Sequence, residues 1–406
     1  MLASPGSTVI LVENLSVPFD RRVWQEARSL RAAGFAVTVI CPQGQSEDTE
    51  THAVLEGIEI HRYPLRPARG GALSYVGEYG PALARTFSLL RRLDRRSHFD
   101  VVHACNPPDA LILTAWSLRR RGAAVIFDHH DLIPELCVSR FGKAGLLRYA
   151  TLAAERMAFA AADVVLSTND SYRHVAVTRG RKRAENVFVV RSAPDTDRFR
   201  PAPPDPSLRR SKAYLLAYLG VMGPQDGVDH ALRALEVLHG KRDDWRAIFV
   251  GAGDVLAEMK VLAGDLGLDE VVEFTGRVPD GELVRILSTA DVCLAPDPKN
   301  PLNDVSTMNK IVEYMALARP IVSYDLVEAR VSAGEAALYA EPNDVADFAR
   351  CVDQLLDSPE DRERMGRAGR RRVEDELSWR CSEEQLLAAY ARALEVRRSR
   401  TRGRAT

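Results

Sequence analysis

Cysteine is scarce in this chain and never closely paired: six residues in 406, with no CxxC among them. Cys41, Cys105, Cys137, Cys293, Cys351 and Cys381 are scattered, and three of them (Cys41, Cys105 and Cys293) sit in or beside apolar runs. That usage argues against a disulfide framework or a cysteine zinc cluster and fits small buried side chains in a reducing compartment. No apolar run approaches the ~20 residues that span a bilayer. MLASPGSTVILVENL lacks a basic segment and a cleavage site, so no signal peptide is read and a cytoplasmic location is expected. Neither sign of charge is in excess, with 55 Lys and Arg against 56 Asp and Glu. Such a balance gives no whole-molecule attraction to nucleic acid or membrane. With no recognised nucleic-acid module, nucleic acid is not expected as a partner.

Short β-branched runs alternate with longer helical stretches throughout. In the first half they are Val9–Val12, Ala36–Cys41, Ile58–Tyr63, Val101–Cys105, Ala124–Phe127, Val164–Ser167 and Val187–Val190. In the second half they are Tyr214–Leu219, Ala247–Val250, Val271–Thr275, Val292–Ala295, Ile321–Ser323 and Ala337–Tyr339. Continuous apolar strands are buried on both faces, which predicts parallel sheets with helices on each side. Sustained alternation predicts a doubly wound α/β fold, and 406 residues suit two such domains. The break is the proline-rich PDTDRFRPAPPDPSLRRSK, which has no apolar period and reads as a semi-rigid linker. The expected division is residues 1–195, a linker at 196–212, a second domain at 213–380, a C-terminal helix at 381–396 that packs back toward the first domain, and a solvated basic tail at 397–406. Ligands of open α/β sheets sit at the carboxyl ends of strands, so the site is expected in a cleft between the two domains.

The most informative stretch is VCLAPDPKNPLNDVSTMNKIVEYMALARPIVSYD. A strand ends at Ala295, a polar loop follows, and a helix is expected from about Ser306 to a stop before Pro320. Met308, Ile311, Val312 and Met315 recur at helical spacing as a buried stripe. Ser306, Lys310 and Glu313 fall on another stripe and share a face. The N-terminus of a helix offers amide hydrogens and partial positive charge to a diphosphate. Lys310 adds a cation one turn in, and Glu313 can accept two hydroxyl hydrogen bonds, as a ribose diol offers. Spacing alone fits an ordinary exposed Lys–Glu pair equally well.

NKIVEYMALARPIV resembles the donor-binding helix of family 4 retaining glycosyltransferases. The likeness extends in order along the chain through FDRRVWQEARSLRAAGFAVTVICP, DVVHACNPPDA, VIFDHHDLIPE, VFVVRSAPDTDRFRP, YLGVMGPQDGVDHALRAL and VEFTGRVP. The resemblance implies a GT-B fold, two Rossmann-like domains with a cleft. It also implies retaining, metal-independent sugar transfer from a nucleoside-diphosphate sugar to a hydroxyl acceptor. On this resemblance Glu313 binds the donor ribose, and Ser306 and Thr307 lie at the diphosphate with Lys310. Gly276, Arg277 and Val278 flank the base. Gly220 and Gly223 line the phosphate loop, and His130 faces the transferred sugar and phosphate. Asp195 matches a linker aspartate taken as structural. No cofactor beyond the donor is implied. The acceptor is a glycan or a lipid-linked sugar of cell-surface biosynthesis, or a small natural product.

The departures are specific. Family members place an Arg and a Lys in the loop read here as GVMGPQDG, where Val221 and Asp226 stand. A second glutamate eight positions before Glu313 is replaced by Val305, and ENLSVPFD lacks the usual glycines. Lys310, Arg277 or Arg22 are the cations able to compensate. The alternatives are a sugar-nucleotide epimerase or phosphorylase on the same fold, for which no dedicated acid/base set is visible, and a non-catalytic nucleotide-sugar binder. Asp128–Asp131 makes a poor chelate, because adjacent strand residues point to opposite faces. Gly251–Asp254 lacks the third glycine of a dinucleotide fingerprint. ARTFSLLRRLDRRS is a basic amphipathic helix, either solvated or in peripheral contact with an anionic membrane at the inner face of the cell membrane.

Overall fold

The computed structural model describes residues 6–44, 48–65, 72–141 and 145–402. The chain divides into two compact units, Met1–Ser192 with Arg380–Thr406, and Ala193–Trp379.

The first unit is built on eight strands: β1 (Ser7–Leu11), β2 (Ala36–Pro42), β3 (His52–Leu55), β4 (Ile58–Tyr63), β5 (Val101–Cys105), β6 (Ala124–His129), β7 (Val164–Ser167) and β8 (Val187–Val189). Their order in the sheet is β3-β4-β2-β1-β5-β6-β7-β8. Val9, Leu11, Val102, Val125, Phe127 and Val165 belong to one buried core cluster. The alternate residues Ile10, Val101, Ile126 and Val164 are buried as well, so both faces are covered, as continuous apolar strands require. The expectation of wholly parallel sheets fails at one edge, where β3 pairs antiparallel with β4. HAVL carries no strand signal in the sequence, because it is short and mostly exposed and leaves little apolar pattern. Glu56 and Gly57, both at positive φ, make the turn that returns the chain. The Arg21–Ala32 helix starts at Asp20, whose side chain accepts from the Val23 amide at 3.1 Å, and it buries Val23, Ala27 and Leu30.

The second unit holds β9 (Tyr214–Leu219), β10 (Trp245–Val250), β11 (Val272–Gly276), β12 (Val292–Ala295), β13 (Ile321–Tyr324) and β14 (Ala337–Ala340), ordered β11-β10-β9-β12-β13-β14 and all parallel. Crossovers from β9 run to one side of the sheet and those from β12 to the other. The loops after β9 and β12 therefore flank the switch point, where open sheets bind ligands. By the same reasoning the switch point of the first unit lies between β1 and β5.

Two expectations about chain organisation are corrected. The proline-rich segment, expected as a semi-rigid linker, is instead packed into the second unit. The second unit begins at Ala193, and Phe199 is buried in its core. The Ala202 and Asp205 amides donate to Ser288 and Thr289 hydroxyls at 3.1 and 2.9 Å, and Pro206–Arg209 forms a short 3₁₀ turn. The basic tail is not wholly solvated either. The last helix runs Trp379–Arg402 and is grouped with the first unit from Arg380. Arg397 donates to the Gly122 carbonyl at 3.0 Å, and Arg400 to Asp163 at 3.0 Å and to the Ala123 carbonyl at 2.6 Å. Residues 403–406 of the expected tail lie outside the described residues.

Candidate functional site

In the second unit the expected donor residues occupy three loops at the carboxyl edge of the sheet. Gly220 and Gly223 follow β9, Gly276, Arg277 and Val278 end or follow β11, and Ser306, Thr307, Lys310 and Glu313 follow β12. The first and last groups flank the switch point, while the β11 group is displaced to the edge strand. The helix after β12 is Asn309–Ala316, shorter than expected. Asn303–Val305 forms a 3₁₀ turn, and Ser306 leaves it in extended conformation with its hydroxyl donating to the Leu302 carbonyl at 2.7 Å. This local bond competes with helix formation, so Ser306 precedes the helix and does not share a helical face with Lys310 and Glu313. Glu313 is half-buried on that helix, while Ile311, Val312 and Met315 are buried.

A residue not singled out in the sequence fixes this helix. Tyr314, fully buried, accepts from the Leu219 amide at 2.7 Å and donates to the Leu294 carbonyl at 3.1 Å. It ties the helix to the ends of the two strands bounding the switch point. The 3.6-residue period places Tyr314 beside Ile311 on the helix, but only the fold shows what its hydroxyl meets.

Lys310 is buried and already paired within the protein. Its side chain is 7% exposed, and Nζ donates to Asp297 Oδ1 at 2.7 Å beneath the Tyr218 ring. Burial opposes its charge, but Asp297, Tyr218 and Asp226 outweigh it and hold the ammonium ion strongly protonated. Burial pushes Asp226 up to about 6 although Lys310 pulls the other way. The cation is therefore already matched by carboxylates. The Gly223 amide donates to Asp226 Oδ2 at 2.9 Å, the Met222 amide to Ala252 at 3.1 Å and the Gly220 amide to Val250 at 3.1 Å. A Cβ at Gly220 would lie 2.9 Å from the Tyr218 hydroxyl and 3.2 Å from Lys310 Cε. That glycine makes room for Lys310. At Gly227, φ is +68° and a Cβ would lie 2.1 Å from the Pro296 carbonyl oxygen, so only glycine lets the β9 loop meet the β12 loop here.

In the first unit His130 follows β6, beside the switch-point strand β5. Asn106, at the end of β5, accepts from the His130 and Asp131 amides at 2.9 and 3.0 Å and fixes the loop. His130 Nδ1 donates to Asp128 Oδ2 at 3.1 Å, an assignment that follows because a carboxylate only accepts. Burial opposes the imidazolium, but Asp128 and then Asp131 overcome it and raise the ring to about 9. Adjacent His129 points the opposite way, fully buried against Phe127, Phe159 and Tyr172 and 3.5 Å from Glu155. It is a core histidine.

Arg22 is not available to a diphosphate. Its Nε and Nη2 donate to the two oxygens of Asp128 at 2.9 and 2.8 Å, and Nη1 donates to the Val190 carbonyl at 2.8 Å. Behind this pair lies a polar cluster invisible in the sequence. Glu26, His103, Cys105 and Asp128 are buried with ligand-type atoms within 4.8 Å of one another. Arg22 occupies the cationic role there, 3.3 Å from Glu26. Burial pushes Glu26 up to about 8 and His103 down to about 4, so both favour their neutral forms at pH 7. The phenol oxygen of Tyr390, from the last helix, lies 3.1 Å from His103 Nδ1 and 3.2 Å from Thr8 Oγ1. No sequence signal links positions 287 residues apart.

Residues 20–192 match the family model described as a glycosyl transferase 4-like domain, and residues 213–358 match that described as glycosyl transferases group 1. The chain belongs to the group 1 glycosyltransferases. The two matches fall one in each unit of this glycosyltransferase. It is 25% identical to D-inositol 3-phosphate glycosyltransferase 1 of Catenulispora acidiphila over 93% of this chain and 91% of that one. It is 28% identical to 2-deoxystreptamine glucosyltransferase of Streptomyces kanamyceticus over 51% of this chain and 55% of that one. Among solved structures, Anabaena HepE in complex with UDP-glucose superposes with a TM-score of 0.71 at 16% identity, covering 95% of this chain and 99% of that one. The fold is GT-B, with two Rossmann-like units. No helix among the described residues is long and apolar enough to cross a membrane.

Proposed function

We propose that this glycosyltransferase moves a hexose from a nucleoside-diphosphate donor to a hydroxyl acceptor with retention, using neither a metal ion nor a further cofactor. The observation that carries the reading is the helix after β12. Its N-terminus opens at the switch point of the second unit, and Glu313 stands one turn beyond the first helical residues. Amide hydrogens at such an end suit a diphosphate, and the carboxylate deeper in suits a ribose diol. In this reading Thr307 and its neighbours hold the diphosphate, Glu313 the ribose, and Gly276, Arg277 and Val278 the base. His130 contacts the transferred sugar and phosphate. HepE bound to UDP-glucose supports the donor class.

The acceptor belongs to cell-surface polysaccharide or glycolipid synthesis. Arg85, Arg91, Arg92, Arg95 and Arg96 are exposed on the Ala72–Ser97 helix with Phe87 between them, which supports contact with an anionic membrane. The 2-deoxystreptamine glucosyltransferase relative supports a small natural product as the alternative acceptor.

Asp226 and Asp297 flanking Lys310 favour a second reading, nucleotide-sugar binding without transfer. Incubation with UDP- and GDP-sugars in EDTA, followed by NMR of the anomeric proton, separates the two. Transfer or slow hydrolysis with α configuration retained, and lost in His130→Ala, supports the enzyme. Binding with no product from any donor supports the second reading, and loss of turnover in EDTA removes metal independence.

A further inference from the structure

The Asp128–His130 pair has the composition of a general-base dyad, in which a carboxylate orients an imidazole that takes up a proton. The surroundings of the ring argue for a different use. Asp128 is fully buried at the end of β6, and its Oδ2 is shared between His130 Nδ1 at 3.1 Å and Arg22 Nε at 2.9 Å. Its other oxygen takes Arg22 Nη2 at 2.8 Å. Three donors from two residues thus fix the carboxylate, and Arg22 is itself anchored on Val190. The groups facing the ring come from three elements. From β6 and its loop come Asp128 and Asp131; from the first helix and its cap come Asp20, Arg22 and Glu26; and from β5 comes His103. Glu26 and His103 are both driven toward neutrality by burial. Arg22 offsets one carboxylate, and an imidazolium is the only other cation in the group.

We propose that Asp128 is a positioning residue that holds His130 as a cation, with Nδ1–H on Asp128 and Nε2–H a charged donor for an anionic oxygen of the substrate. His130 is then not a proton acceptor at neutral pH, since neither ring nitrogen has a lone pair to offer. This rests on the reading that His130 meets the donor phosphate.

The charge is read without substrate. Long-range ¹H–¹⁵N spectra of the full chain, with the His130 signal assigned from His130→Gln, should show both ring nitrogens protonated at pH 7.5 and a midpoint near 9. A bare Nε2 at pH 7.5 overturns the proposal. Asp128→Asn, checked for folding by circular dichroism, should move the midpoint below the ordinary 6.5; a folded variant still titrating near 9 removes Asp128 from the account. The contact is read by turnover. His130→Gln should lower kcat/KM for the donor roughly ten- to a hundredfold, as loss of a charge-assisted hydrogen bond does, and His130→Lys by less. The wild-type rate should fall as pH rises through about 9. Unchanged kinetics in both variants, beside a cationic ring, would overturn the contact with the donor and leave the charge assignment standing.

Discussion

Lys310 Nζ lies 2.7 Å from Asp297 Oδ1, both side chains almost wholly buried at the carboxyl edge of the second sheet. Lys310, the lysine on the donor helix, is therefore also an internal counter-ion. Breaking a buried pair by removing one member leaves an uncompensated charge, at about 3–5 kcal/mol. Lys310→Met should destabilise the second unit by that order in urea, and Asp297→Asn should do so less, because a neutral amide can still accept from Lys310. Additive losses in the double variant would show that the two side chains do not interact in solution.

Asp226 should make nucleotide binding pH-dependent. Its acid is raised from 3.8 to about 6, chiefly by burial. A raised carboxyl contributes stability below its unfolded pKa and loses that contribution as pH rises through the folded value. The same titration places a negative charge beside Lys310 above pH 6. The affinity for UDP or GDP should therefore rise as pH falls from 7.5 to 5.5, and Asp226→Asn should bind more tightly at pH 7.5 with a flatter profile. Isothermal titration at the two pH values checks this; an identical slope in the variant contradicts it.

Tyr390 serves two polar groups at once, Thr8 and His103, in a fully buried position. Tyr390→Phe should cost roughly 1–3 kcal/mol of first-unit stability, because both partners lose a hydrogen-bonding group away from water. A melting temperature unchanged from wild type would mean that water replaces the phenol.

The end of the last helix is held by Arg397 and Arg400. Both are partly exposed, so solvent screens their ion pairs and about 1 kcal/mol is the appropriate scale. Truncation after Val396 should lower the first unit's melting temperature by about 2–4 °C. No shift would restore the solvated tail that the sequence implies.

The strand–helix alternation was legible because β-branched runs such as VVHAC are buried on both faces and have no other stable use. β3 was not, since an exposed edge strand has no core side to pattern its residues. The burial of Phe199 was not legible for the converse reason: a lone aromatic among prolines has no period, although it enters the core. At the site, sequence order placed Lys310 and Glu313 after the right strand. It did not show that the Ser306 hydroxyl turns back to Leu302, which delays the helix to Asn309. Long-range partners were illegible on principle. Arg22 and Asp128 are 106 positions apart, and only the sheet brings them together.

Glu313 is expected to bind the ribose of a nucleoside diphosphate held on the second unit. Calorimetric titration of UDP and GDP into wild type and Glu313→Ala tests it most directly. A carboxylate–hydroxyl contact is worth about 1.5–3 kcal/mol, so binding of one of the two nucleotides should weaken roughly ten- to hundredfold in the variant. Equal affinity in the two proteins, or no heat with either nucleotide, would contradict it.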